Sequence, residues 1–132
     1  VRHALIVTEV ETPLIIALWI VTALLALVFL AAGVVKSTSP REKLVPKMAY
    51  MEDLSNGQAR AVGILEFLGA LGLVLPAATG ILPWLTPVAA FALAITMVVG
   101  VALHVKRKES FVPALVLALL SLVVGIGWVL LG

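Results

Sequence analysis

From Leu14 to Val35 the chain runs 22 residues without a charged side chain. At about 1.5 Å of rise per helical residue, such a run crosses the ~30 Å hydrocarbon core of a bilayer. Lys36 closes it, with a stem that can lie along lipid while the ammonium reaches the headgroups. Three more apolar stretches follow, bounded by proline, glycine and charge. Ser55-Asn56-Gly57-Gln58 is a capping box that opens a second helix, and Pro76 and Gly80 end it. Thr86-Pro87 starts a third, which runs to Lys106-Arg107-Lys108-Glu109; Ser110 caps a fourth, with Pro113 in its first turn. The sequence predicts an all-α membrane protein, a four-transmembrane-helix bundle with helices near 14–36, 56–75, 87–105 and 111–131. Residues 14–132 form one domain. Residues 1–13 form an N-terminal segment, with Thr12 as cap and Pro13 in the first turn of the first helix.

Composition supports lipid as the solvent. The chain is 63% hydrophobic and 12% charged, whereas soluble domains are roughly half apolar and about 25% charged. Its net charge of +2 comes from short loops beside apolar runs, a pattern of topology and lipid-headgroup signals rather than of nucleic-acid binding. With no cysteine, thiol chemistry and iron–sulfur ligation are excluded. His3 and His104 are the only histidines, which disfavours a haem held by two of them. The spacing contains no metal-ligand cluster, no Ser/His/Asp arrangement, no pair of broken helices and no polar filter. Residues 1–13 lack a signal-peptide layout.

The long polar connection, 37–60, carries Ser39-Pro40-Arg41-Glu42 as a capping box with proline at the first helical position. Leu44, Met48, Met51 and Leu54 recur at helical spacing, and Pro46 bends the segment. This predicts a short interfacial amphipathic segment between the first two membrane helices; an irregular loop folded back onto the bundle is the alternative. Five basic residues (Lys36, Arg41, Lys43, Lys47, Arg60) lie between the first two helices and three (Lys106, Arg107, Lys108) between the last two, against Arg2 on the other side. The positive-inside rule places loops 36–60 and 106–110 in the cytoplasm and both termini outside. Trp19, Trp84 and Trp128 fall toward the outer ends, where an aromatic belt would sit.

Within this frame one side chain is out of place. Glu66 sits in the apolar second helix, in Gly63-Ile64-Leu65-Glu66-Phe67-Leu68-Gly69-Ala70-Leu71-Gly72. Gly63, Glu66, Gly69 and, with drift, Gly72 share one face, so a neighbouring backbone can approach and the carboxylate points into a helix interface. A membrane carboxylate costs about 2.5–3.5 kcal/mol on insertion scales unless paired or neutral. Lys36, His104 and, two turns deeper, Thr96 lie toward the same leaflet, with Arg60 and Tyr50 at the rim. One reading of Glu66 is structural: an ion pair, or a protonated carboxyl bonded to a backbone carbonyl or Thr96. The other is a polar cavity for the head of a lipid or other lipid-soluble ligand, or a proton relay. Ser121-x-x-x-Gly125 is a small-residue packing face, available to a partner chain.

The run Phe29-Leu30-Ala31-Ala32-Gly33-Val34-Val35-Lys36, the run Gly63-Ile64-Leu65-Glu66-Phe67-Leu68-Gly69, and Pro76 with the short turn after it resemble the DoxX-like family of small bacterial membrane proteins. The resemblance implies a four-helix bundle in the bacterial cytoplasmic membrane, with Gly33, Lys36 and Glu66 as the family-like positions. It also implies association with membrane redox complexes, since the family is named for a membrane subunit of a thiosulfate:quinone oxidoreductase. Quinone is then the candidate cofactor; membrane lipids and a protein partner or second copy are the candidate partners. Three functions stay open: an accessory subunit of a quinone-linked redox complex binding quinone or lipid near Glu66, a non-enzymatic assembly or stabilising factor, and an independent enzyme on a lipid-soluble substrate.

Overall fold

The computed structural model describes the backbone of residues 2–132 and the side chains of residues 9–132. The side chains of Arg2 and His3 lie outside the described residues. The described chain forms five α-helices: α1 (Arg2–Thr38), α2 (Arg41–Leu44), α3 (Asn56–Thr79), α4 (Leu85–Lys106) and α5 (Val112–Leu131). A 3-10 helix, Ala49–Asp53, lies between α2 and α3. Four helices are long and apolar enough to cross a membrane, the span in α1 being Glu9–Thr38.

Two prolines expected at helix ends lie inside helices instead. Pro13 is within α1, which starts well before Leu14, and Pro76 is within α3, which runs to Thr79. Each proline removes one helical hydrogen bond. Breaking the helix there would strip several backbone groups of partners in a solvent that offers none, so the helix continues. Gly80, left-handed at φ 72°, ends α3 by donating its amide to the Pro76 carbonyl.

The start signals fare unevenly. Around α3 the capping box forms as expected: the Ser55 hydroxyl accepts from the Gln58 amide at 3.1 Å, and the Gln58 side chain accepts from the Ser55 amide at 2.9 Å. The other three caps do not form: Thr12 lies inside α1, and the Ser39 and Ser110 caps are absent. Pro40, not Ser39, flanks α2, and Phe111, not Ser110, precedes α5, both without a side-chain cap bond. The connection 37–60 is no continuous amphipathic helix. It consists of one turn of α2, a turn at Pro46 and the 3-10 helix. Leu44 and Met51 are buried with Ala59 of α3, so the segment is folded back onto the base of the bundle.

The helices pack in the cyclic order α1, α3, α4, α5; the α1/α3 and α4/α5 seams are extensive and α5/α1 is thin. Leu25, Phe29, Leu73, Leu93 and Val124 fill the middle. Leu24, Leu27, Leu68, Ile95, Val98 and Leu130 face outward and are just as apolar. Helices hydrophobic on all sides belong in lipid. Among the described residues the buried polar ones are Thr22, Lys36, Glu66, Thr86 and Ser121.

The glycines of α3 divide between two seams. A Cβ on Gly63 would lie 2.5 Å from the Ser37 amide nitrogen, and one on Gly33 would lie 2.5 Å from that of Phe67, so the α1 and α3 backbones touch. On Gly69 and Gly72 a Cβ would instead meet Leu93 and Ala89 of α4. A three-residue step turns about 300° around a helix of 3.6 residues per turn, so the expected single face rotates from α1 to α4. Gly125 lies against the Phe91 ring of α4, and buried Ser121 donates to the Leu117 carbonyl. That face is used inside the bundle and is closed to a partner chain.

A charged pocket in the bundle

Close contact between α1 and α3 sets the geometry of the charged pair. Lys36 lies three residues past Gly33 and Glu66 three past Gly63, so each charge sits about one turn beyond a point where the backbones touch. The side chains meet across the seam, with Lys36 Nζ donating to Glu66 Oε1 at 2.8 Å. They are 8% and 1% exposed, so the pair is sheltered from both water and acyl chains. Glu66 Oε2 is buried and has no hydrogen-bond partner among the described residues.

Against this pair lies a cavity of about 430 Å³. Glu66 and Leu65 of α3, Ile95, Thr96, Val99, Gly100 and His104 of α4, and Ala114 and Leu117 of α5 form its walls. Lys36, Tyr50 and Leu54 close one end. Leu65, Ile95 and Val99 are also exposed on the outer surface, so the cavity opens sideways toward the apolar exterior. Its volume falls within the ~300–1,000 Å³ typical of small-molecule sites, and a mostly apolar wall with a few convergent polar groups is the usual composition of such sites.

Tyr50 links the polar groups at the closed end. Lys36 Nζ lies 5.6 Å from its ring centroid, a cation–π approach. The His104 ring meets Tyr50 edge-on at 5.0 Å between centroids. A network of charged groups holds the 3-10 helix that carries Tyr50. Arg107 reaches Asp53 at 3.0 Å, Glu52 at 3.6 Å and Glu109 at 3.3 Å, and Glu109 also contacts His104 Nδ1 at 3.0 Å. Arg41 bonds the Met51 and Glu52 carbonyls at 2.9 and 3.0 Å. The two basic connections therefore share one end of the bundle.

Of the six residues marked by the sequence, five border the cavity: Lys36, Tyr50, Glu66, Thr96 and His104. Thr96 is no partner of Glu66, because its hydroxyl donates to the Ala92 carbonyl at 2.9 Å. Arg60 is placed elsewhere. It is exposed and lines a separate polar hollow with Thr38, Arg41 and Asn56. Six residues turn about 600° along a helix of 3.6 residues per turn, which points Arg60 some 120° away from Glu66.

Sequence reasoning missed the Arg107 clamp, although the acidic pair Glu52-Asp53 in one connection and the basic cluster in the other were its visible halves. It also missed Thr22, which is buried at the far end and accepts from Trp128 Nε1 at 3.0 Å while donating to the Leu18 carbonyl at 2.6 Å. A lone threonine in an apolar run carries no signal of its partner.

Chemically, the site offers a buried ammonium, a carboxylate oxygen without a donor, and two aromatic rings, all at the closed end of an apolar cavity. This suits the polar head of an amphiphile whose chain leaves through the lateral mouth. Compared with known proteins, residues 20–126 match the model of the DoxX-like family, a span that includes all six marked residues. No curated protein and no solved structure matches the chain.

Proposed function

From the premise that this chain belongs to the DoxX-like family, we propose that it is an accessory subunit of a quinone-linked redox complex in the bacterial cytoplasmic membrane. In this role it binds the head of a quinone or lipid beside Glu66. The observation that carries the reading is the cavity of about 430 Å³ meeting a buried Lys36–Glu66 pair, one of whose oxygens is unpartnered. A buried ion pair is weak support for stability, since apolar residues of similar volume often serve as well or better. A purely structural Glu66, as in an assembly factor, accounts for the pair but leaves the adjoining cavity without a role.

In the proposed pose the ligand head lies between Glu66 and Tyr50, with its chain passing Leu65 and Val99. Lys36 and Glu66 orient the head by hydrogen bonds, and the apolar walls exclude water. Basic residues in both connections at this end favour the cytoplasmic side. A reporter fused after Gly132 is then expected to behave as non-cytoplasmic.

Gly100 gives a clean test of the cavity. It lines the wall, and a Cβ there meets only Ala114 Cβ, at 3.8 Å. Gly100→Leu should fill the space without disturbing the pair. Calorimetric titration of a short-tailed quinone–quinol couple into the protein in nanodiscs should give saturable binding, lost in Gly100→Leu at an unchanged melting temperature. If the unaltered protein bound neither form, the quinone reading would fail and only a lipid head would remain. Steady turnover of either form by the purified protein, supplied with a soluble electron donor for the quinone or acceptor for the quinol and no partner subunit, would favour an independent enzyme instead.

A further inference from the structure

The unpartnered oxygen of Glu66 specifies what the ligand head must bring. Resting on the binding role proposed above, we infer that the cavity selects a head carrying a hydroxyl donor, so that a quinol binds in preference to the corresponding quinone. Lys36 already donates to Oε1 and holds its charge over the Tyr50 ring. Oε2 is left with acceptor capacity and no donor, and a buried carboxylate oxygen in that condition is costly.

The remaining neighbours do not supply a donor. The Thr96 hydroxyl is committed to Ala92, the Tyr50 hydroxyl contacts Met48 Sδ at 3.7 Å, and His104 Nδ1 faces Glu109. A hydroxyl entering from the cavity donates to Oε2 and, through its own oxygen, accepts from Lys36. A quinone carbonyl only accepts. It draws on the Lys36 charge, competes with Glu66 for it, and leaves Oε2 as it was. Because Oε2 is sheltered, seating the hydroxyl requires a small side-chain movement that keeps the Lys36 bond to Oε1.

The same hydroxyl chemistry is carried by a phenol-type quinol and by an alcohol-type lipid, so the test uses both. A short-tailed hydroquinone (kept reduced anaerobically), its quinone and a short-chain diacylglycerol are titrated into the protein in nanodiscs. A hydrogen bond to a charged group corresponds to about a tenfold or greater gain in affinity, so the hydroquinone is expected to bind at least that much more tightly than the quinone. Diacylglycerol binding as tightly as hydroquinone would uphold the hydroxyl requirement and assign the site to a lipid. Equal affinity for the two redox forms, or tighter binding of the quinone, overturns this inference while leaving the binding role intact. Failure of all three ligands overturns both.

Glu66→Gln places an amide donor beside Lys36 and should shift preference toward the quinone. Should that variant fail to fold, the double variant Lys36→Met/Glu66→Leu removes the charges together and should bind both forms alike. Retained quinol preference in the double variant would refute the role of Glu66.

Discussion

The two ends of the bundle solve the problem of buried polarity by different means. At the Lys36 end, two backbones touch at Gly33 and Gly63, and a full ion pair lies next to a cavity. At the Trp128 end the polar groups are neutral: Trp128 donates to Thr22, Thr22 donates back to its own helix, and Trp19 meets the Trp128 ring edge-on at 5.0 Å. The neutral chain closes on itself apart from one hydroxyl, that of Thr86 in the first turn of α4, which is buried without a partner among the described residues. The charged pair leaves one buried acceptor oxygen on a residue that borders a space large enough for a ligand head. What separates the ends is therefore charge and space: each buries one oxygen without a partner among the described residues, but only that of Glu66 belongs to an ion pair beside a cavity.

The sharpest way to break this contrast is to remove one charge. Lys36→Met leaves Glu66 buried without its cation and should cost about 3–5 kcal/mol, the usual result of breaking a buried pair from one side. Thermal unfolding in a single detergent measures it, and Lys36→Met/Glu66→Leu should recover most of the loss. A single variant melting like the unaltered protein would show that the pair is dispensable.

Next in size is the backbone contact. Gly63→Ala drives a Cβ into the Lys36–Ser37 backbone and should destabilise by about 1–3 kcal/mol, as overpacking does. Gly57→Ala, whose Cβ meets only Ser55 Oγ at 3.9 Å, serves as the control and should melt at or slightly above the original temperature.

At the opposite end the expected effect is smaller. Trp128→Phe removes a single neutral hydrogen bond, worth about 0.6 kcal/mol on average between membrane helices, and Thr22 keeps its bond to Leu18. A loss as large as that of Lys36→Met would erase the distinction between the two ends. Smallest in global terms is Arg107→Gln. Its partners are partly exposed carboxylates, so the melting temperature should hold. Hydrogen exchange at the Met51 and Leu54 amides should quicken as the 3-10 helix loosens. Unchanged exchange would show that Arg107 does not hold the Tyr50 segment.

Much of the architecture was legible because lipid imposes a coarse rule. An uncharged run of sufficient length becomes a helix, so four spans could be counted without knowing which face packs. The same solvent made the ends hard to read. Pro13 and Pro76 break helices in water, yet here the helices pass through them because lipid offers freed backbone groups no substitute partner. Glu66 and Lys36 were legible as an isolated acid and a terminal base in apolar surroundings. Arg60 was misplaced because counting residues along the axis ignores angle. The polar clamp around Arg107 was hidden because its halves lie some 54 residues apart.

By itself the sequence determined the solvent, the number of crossings and the need of one carboxylate for company, since each follows from hydropathy and the cost of charge in a low-dielectric medium. Only the tertiary structure decided that Lys36 is that company, that the α3 glycines serve two neighbours rather than one, and that Glu66 borders a cavity with one oxygen lacking a donor among the described residues. These depend on how far each helix is rotated and where two backbones touch, quantities that a pattern apolar on every face leaves unspecified.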